Sequence, residues 1–210
     1  MTKKVTTQNF YDRIAEAHNV ALRVNGYRGS VARFLRSIGA DLGPDSMVLD
    51  AGSGTGIVTL GLYSAGYKPA CTVTLDLSHN SLDVGRSQFR KDPKTRKQAI
   101  APVQGNVLRL PFADESFDLV MSCGVLEYVP LEAGLEELSR VMKKGAKLVF
   151  IPVKPSFVGS VLQFLYKFRT HPLEEVREKA SQKFRILGSH KFKITEAMGW
   201  SKAVFLLEKK

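Results

Sequence analysis

The residues best placed to do chemistry are Val48-Leu49-Asp50-Ala51-Gly52-Ser53-Gly54-Thr55-Gly56, where an apolar run ends in an acid and glycines follow at every second position. A buried strand breaks there into a loop tight enough for backbone to lie almost against a ligand, since glycine has no Cβ and accepts positive φ. A dinucleotide fingerprint, G-x-G-x-x-G, would need glycine at position 57, which is Ile57. The spacing here is G-x-G-x-G. Asp50 just ahead of it would repel a pyrophosphate and suits a ligand carrying an ammonium group. A second acid, Asp76, lies 24 residues after Gly52 and ends the β-rich run that starts at Cys71. From a strand end it can accept hydrogen bonds from two vicinal ribose hydroxyls, or cap the next helix alongside Ser78 and Asn80.

Positioning these acids takes alternating strands and helices. The pattern runs from about residue 46 to Ile151 and implies right-handed crossovers and a parallel α/β sheet. Ahead of it, helices are predicted near Phe10–Val24 and Ser30–Ile38, and Gly43-Pro44-Asp45 turns into the first strand. Behind it, Pro152 and Pro155 end the fifth strand. An apolar helix is predicted over Phe157–Arg169, then a break at His171-Pro172 and a charged helix over Leu173–Leu187. Phe192-Lys193-Ile194 and Ala203–Leu207 read as a final antiparallel hairpin.

Composition narrows the class. With 210 residues, 44% of them hydrophobic, one α/β domain with a sizeable core is expected. No apolar run approaches the roughly 18 residues that cross a bilayer, and Met1–Thr7 leads into no apolar signal core. Cys71 and Cys123 have no C-x-x-C company, which points to reduced thiols in the cytoplasm and to no metal. The net charge of +11 is uneven: from residue 151 onward there are 12 Lys+Arg against 5 Asp+Glu. A second basic stretch runs from Arg86 to Lys97, with Pro93 ending its helix. Such a field concentrates anions. Peripheral contact with an anionic inner-membrane surface is one expectation, and nucleic acid stays open as a partner.

Three further segments complete a pattern. They are Gly105-Asn106-Val107-Leu108-Arg109-Leu110-Pro111-Phe112 with Phe117-Asp118-Leu119-Val120, then Ser122-Cys123-Gly124-Val125-Leu126-Glu127-Tyr128-Val129, then Arg140-Val141-Met142-Lys143-Lys144-Gly145-Ala146-Lys147. With the glycine loop, the chain resembles class I S-adenosylmethionine-dependent methyltransferases, whose motifs read hydrophobic-D/E-x-G-x-G-x-G, G-D-x-x-x-L-P-F, F-D-x-V and R-V-L-K-P-G-G. It departs at Asn106, Lys144 and Ala146; the Asn106 amide oxygen can still accept a hydrogen bond.

The resemblance implies a Rossmann-like three-layer sandwich whose seven-stranded sheet is mostly parallel with an antiparallel last strand. An N-terminal helical cap (1–45), a cofactor-binding core (46–151), a substrate lid with helices between strands five and six (152–190) and a final hairpin (191–210) would form one domain. It implies S-adenosyl-L-methionine as cofactor. Asp50 would meet its amino group, with Ala51, Gly52, Gly54 and Gly56 in the loop. Asp76 and Leu77 would lie at the ribose, Asn106 and Val107 at the adenine, and Cys123 at the end of the fourth strand. The closest branch is the ubiquinone/menaquinone C-methyltransferases and phospholipid N-methyltransferases, so a small-molecule or lipid-like acceptor and in-line displacement are expected. The N/D-P-P-Y/F signature of enzymes that grip a flipped base is replaced by Ser122-Cys123-Gly124-Val125. Catalytic candidates are Glu127, Tyr128 and Tyr11; His79 reads as a helix-start residue. An RNA or protein methyltransferase using the basic surface, or a non-catalytic cofactor-binding protein, remain the alternatives.

Overall fold

The computed structural model describes residues 26–155, 169–190, 192 and 201–210. The predicted helix near Phe10–Val24, most of the apolar helix over Phe157–Arg169, and Lys193-Ile194 lie outside them. In chain order the described elements are α1 (Tyr27–Ser37), β1 (Met47–Ala51), α2 (Ile57–Ala65), β2 (Cys71–Asp76), α3 (His79–Lys91), β3 (Ile100–Gln104) and β4 (Phe117–Cys123). A short 3-10 turn (Leu126–Tyr128) leads to α4 (Leu131–Val141), followed by β5 (Met142–Ile151), α5 (Leu173–Lys183), β6 (Phe184–His190) and β7 (Val204–Lys209).

The sheet has seven strands in the order β3-β2-β1-β4-β5-β7-β6. Strands β1 to β5 pair in parallel, and β7 runs antiparallel to both β5 and β6. The expected mostly parallel sheet with an antiparallel last strand is therefore present. Parallel strands covered on both faces read as unbroken apolar runs, as in Val48-Leu49, Leu119-Val120-Met121 and Leu148–Ile151. One face packs Leu49, Val120, Leu148 and Phe150 against Leu131, Leu135 and Leu138 of α4 and Val176 and Ala180 of α5. The other packs Val48, Leu119, Met121 and Val149 against Tyr27, Val31 and Leu35 of α1 and Val58 and Leu62 of α2. These are the three layers.

Strand order reverses between β1 and β4, the neighbours on either side of which lead away in opposite directions. In open α/β sheets this is where a crevice opens beyond the carboxyl ends of the strands. The first glycine loop emerges from β1 there.

The sixth strand lies earlier than the sequence pattern suggests. The charged helix stops at Lys183, and Phe184 to His190 join the sheet instead of the lid. From Phe184 the periodicity changes from helical to twofold, with Phe184 buried, Arg185 exposed, Ile186 half-buried and Leu187 exposed. Arg185 forms a cross-strand ion pair with Glu208 of β7. Phe192, expected in the strand itself, follows it and packs in the core beside Phe34. If β6 begins at Phe184, Phe184→Ala should lower unfolding free energy in urea by about 3–5 kcal/mol. Leu187→Ala on the exposed side should cost under about 1 kcal/mol; equal losses would argue against this register.

Candidate active site

The turn out of β1 is built on left-handed backbone. Gly52, Gly54 and Gly56 have φ of 72°, 52° and 83°. Any side chain would be strained at each, but the space around them differs. A Cβ on Gly52 would meet Val125 at 2.5 Å, and one on Gly56 would meet the Phe89 ring at 2.2 Å. Those two glycines allow protein to pack against the loop. A Cβ on Gly54 would meet nothing within 4 Å. The face of Gly54 is bare and open, as a ligand held against backbone requires.

Asp76 fixes this loop from the next strand. The Gly54 N–H donates to its Oδ2 at 2.7 Å, and the Ser78 N–H donates to its Oδ1 at 2.9 Å. Gly52 and Ser53 N–H groups both donate to the Leu75 carbonyl, at 2.8 and 2.9 Å. Ser78 in turn caps α3 through the Ser81 N–H. Asp76 thus ties the glycine loop to the start of α3. Leu77 beside it is 60% exposed, an apolar surface on the rim of the same crevice.

Asp50 sits beneath the loop, 1% exposed. Its Oδ2 accepts from the Thr59 hydroxyl at 2.6 Å and the Thr59 N–H at 3.2 Å, while Oδ1 is buried with no hydrogen-bond partner. Burial pushes its carboxyl up from 3.8 to about 7, against the two bonds from Thr59 and with a smaller push from Asp76. A buried carboxylate with one idle oxygen is a ready site for an ammonium.

On the far side of the crevice, the loop after β3 is clamped by Arg140 of α4. Its guanidinium donates to the Phe112 carbonyl at 2.9 Å and the Leu110 carbonyl at 3.1 Å, and pairs with Glu137. Glu137 accepts from the Leu110 N–H at 2.7 Å. This explains the Arg that opens Arg140-Val141-Met142-Lys143: it holds the Leu110-Pro111-Phe112 loop. Asp118 has a similar task. It accepts from the Met47 N–H and from Lys143, and although burial alone would raise its carboxyl, these bonds hold it below the usual range. Neither task was evident from residue type alone. Asn106 is exposed, and its Oδ1 already accepts from the Leu108 N–H at 2.9 Å; Val107 is buried beneath it.

The end of β4 brings together a different group. Cys123 Sγ lies 3.1 Å from the Tyr27 hydroxyl. Glu127 is 4% exposed, its Oε1 accepts from the Val153 N–H, and its Oε2 has no hydrogen-bond partner. Tyr128 lies on the surface. His79 is on the exposed side of α3, 3.2 Å from Asp83, and belongs to the helix start. Tyr11 lies outside the described residues. Lys202, which the sequence pattern did not single out, reaches this group; a lone lysine ahead of the last apolar strand was its only signal. Among the described residues no group of His, Cys, Asp and Glu could hold a metal, and no helix is long and apolar enough to cross a membrane.

Residues 49–150 match the family described as "Methyltransferase domain". A demethylmenaquinone methyltransferase from Mycobacterium sp. (strain KMS) is 38% identical over 131 residues, covering 60% of this chain and 51% of that protein. The chain spans about half the length of the curated relatives it matches. Among solved structures, geranyl diphosphate C-methyltransferase from Streptomyces coelicolor A3(2) superposes with a TM-score of 0.68 at 17% identity, covering 85% of this chain and 75% of that one. A chain of the Haloferax volcanii complex between the Trm112 methyltransferase activator and a methyltransferase gives 0.73 at 16% identity, with 97% of each chain covered. These likenesses are of fold. The matched stretch runs from within β1 to within β5, the strands whose ends carry Asp50, the glycines, Asp76 and Cys123.

Asp50 should leave a pH signature. The folded domain keeps a proton there at pH values where the unfolded chain has lost it, so its contribution to stability falls as pH rises from 3.8 to about 7. Relative to Asp50→Asn, the wild-type protein should lose up to roughly 4 kcal/mol across that window in urea unfolding at stepped pH. Parallel pH curves for the two proteins would contradict the buried, under-bonded carboxyl.

Proposed function

We propose that this chain transfers a methyl group from S-adenosyl-L-methionine to a small-molecule or lipid-like acceptor. The observation that carries the reading is the bare left-handed Gly54 with the Asp76 carboxylate pinned to its N–H, above the half-satisfied Asp50. In this reading Asp50 Oδ1 takes the ammonium of the methionine moiety, and Ala51, Gly52, Gly54 and Gly56 shape the loop around it. Asp76 accepts from the ribose hydroxyls, with the exposed Leu77 alongside. Asn106 and the Val107 N–H meet the adenine, and Cys123 closes the floor at the end of β4.

The cofactor supplies a methyl group on a cationic sulfur, already a good leaving group. What the protein contributes is alignment and the exclusion of water. Asp50 and Asp76 fix the donor at two points, and the Arg140-clamped loop fixes a third wall. Glu127 suits a general base better than Tyr128, because its idle oxygen is buried at the edge instead of lying in solvent. α5 packs Val176 and Ala180 into the core and β6 joins the sheet, which takes residues 173–190 out of the lid expected over 152–190.

The acceptor class is supported by the relatives' own names: demethylmenaquinone is acted on by the Mycobacterium protein, and geranyl diphosphate by the Streptomyces one. Both are small molecules. The positive excess after residue 151 would then serve an anionic acceptor or an anionic membrane surface in the cytoplasm.

The test is transfer of a labelled methyl group from S-adenosyl-L-methionine into an extract of the source cells, separated into lipid, small polar, RNA and protein fractions. Label in the lipid or small polar fraction is the expected result. Label confined to RNA or protein would overturn the acceptor class in favour of a macromolecular substrate. No label anywhere would overturn the catalytic reading.

A further inference from the structure

Lys202 has an anchored backbone and, among the described residues, an unclaimed charge. Its segment is stitched to the stretch after β5 on both sides: the Lys154 N–H donates to the Ser201 carbonyl at 2.8 Å, and the Ala203 N–H to the Pro152 carbonyl at 3.1 Å. Val153 and Lys202 form an isolated bridge between them. From there the side chain crosses the end of the sheet to Gly124, where a Cβ would come within 2.6 Å of its Nζ. No carboxylate lies within ion-pair distance of Lys202 among the described residues. A side chain at 124 would push the ammonium out of this place.

The same small region holds a carboxylate without a full set of partners. The peptide that receives Glu127 Oε1 is Val153, the bridge partner of Lys202. Glu127 Oε2 is buried and has no hydrogen-bond partner. The two side chains do not neutralise each other in an ion pair, yet both act on one thiol. Burial pushes the Cys123 thiol up, Lys202 pulls it back, and Glu127 adds to the rise. A cation and an idle carboxylate, held apart on one rigid connection at the edge of the donor crevice, can do complementary work on a hydroxyl. The carboxylate can receive its proton and the ammonium can hold the oxygen left behind. An isolated alcohol is too weak an acid for this arrangement. A hydroxyl on an unsaturated carbon ionises far more readily and spreads the charge onto a carbon that can also be methylated.

Resting on the methyl-transfer reading above, we propose that Lys202 Nζ binds the hydroxyl oxygen of a phenol or enol acceptor and stabilises it as the oxyanion, with Glu127 Oε2 as the proton's destination. The O–H bond breaks, its electron pair stays on oxygen and the conjugated carbon, and Glu127 becomes the neutral acid. Either of those atoms then bonds to the methyl carbon while the sulfur–carbon bond breaks, its pair going to the sulfur. Lys202 is in this role a catalytic residue that touches substrate, and it sets specificity for acidic hydroxyls over alcohols and amines.

The probe is 4-nitrophenol, titrated by its phenolate absorbance in the presence of protein saturated with S-adenosylhomocysteine. Wild-type protein should bind the phenolate over the phenol by about tenfold or more, as one unit charge at contact distance in a partly buried site provides. Lys202→Met should abolish the preference, while Lys202→Arg and Glu127→Gln, which both keep a cation there, should retain it. Lys202→Met that titrates like the wild type, or wild-type protein that does not bind the probe, overturns the proposal. Calorimetry with S-adenosylhomocysteine separates the remaining cases. Unchanged affinity in Lys202→Met is expected; its loss would assign the ammonium to the donor and overturn the acceptor role. Absence of S-adenosylhomocysteine binding by the wild type would sink the donor site itself, and the acceptor role with it.

Discussion

The carboxylate of Asp76, bonded at once to the Gly54 N–H and the Ser78 N–H, is the tie on which the rest of the site depends. One oxygen holds the apex of the glycine loop and the other holds the start of α3, so the loop, the second strand and the helix behind it move as one body. Without that tie a loop with three left-handed glycines would have wide conformational freedom. With it, the loop presents a single bare face. The packing below reinforces this: Val125 and the Phe89 ring fill the space where Cβ atoms at Gly52 and Gly56 would be. The open side at Gly54 is the side left for a ligand.

Electrostatics around the crevice follow from who is bonded to whom. Asp118 and Glu137 are held in their charged forms by Lys143 and Arg140, and both serve as braces. Asp50 is the opposite case. It is equally acidic by nature but is buried with only Thr59 for company, so burial pushes its carboxyl up to about 7. Retaining an under-bonded acid costs stability, which is a common signature of a functional site. Glu127, with one oxygen committed to Val153 and one idle, repeats the theme at the other end of the edge.

The strand-loop-acid grammar of the first half was legible in the sequence because each feature is local. Glycine spacing, an acid closing an apolar run, and helical spacing in Leu135, Leu138 and Val141 are all decided within a few residues. Asp50, Asp76 and the glycines consequently lie along one edge as the pattern implied. What local reading missed depends on distant contacts. The helix after Pro172 gives way to a strand at Phe184 because β7, some 20 residues on, offers a partner for pairing, and charged residues on both elements concealed the change of period. Arg140 and Asp118 look like surface charges until the loops they brace are folded against them. Lys202 is an ordinary lysine in sequence, and only the crossing from β7 to the end of β4 gives it a neighbour.

The most direct test of the account is calorimetric titration of S-adenosylhomocysteine into wild-type protein and Gly54→Ala. The added methyl meets no protein atom within 4 Å, so beyond the roughly 1–2 kcal/mol of left-handed strain the variant should fold as the wild type does. The account predicts binding by the wild type and at least about a tenfold loss in the variant, a difference of about 1.4 kcal/mol. Equal affinity in the two proteins would mean that the ligand does not lie against the bare face of Gly54, and would contradict the site described.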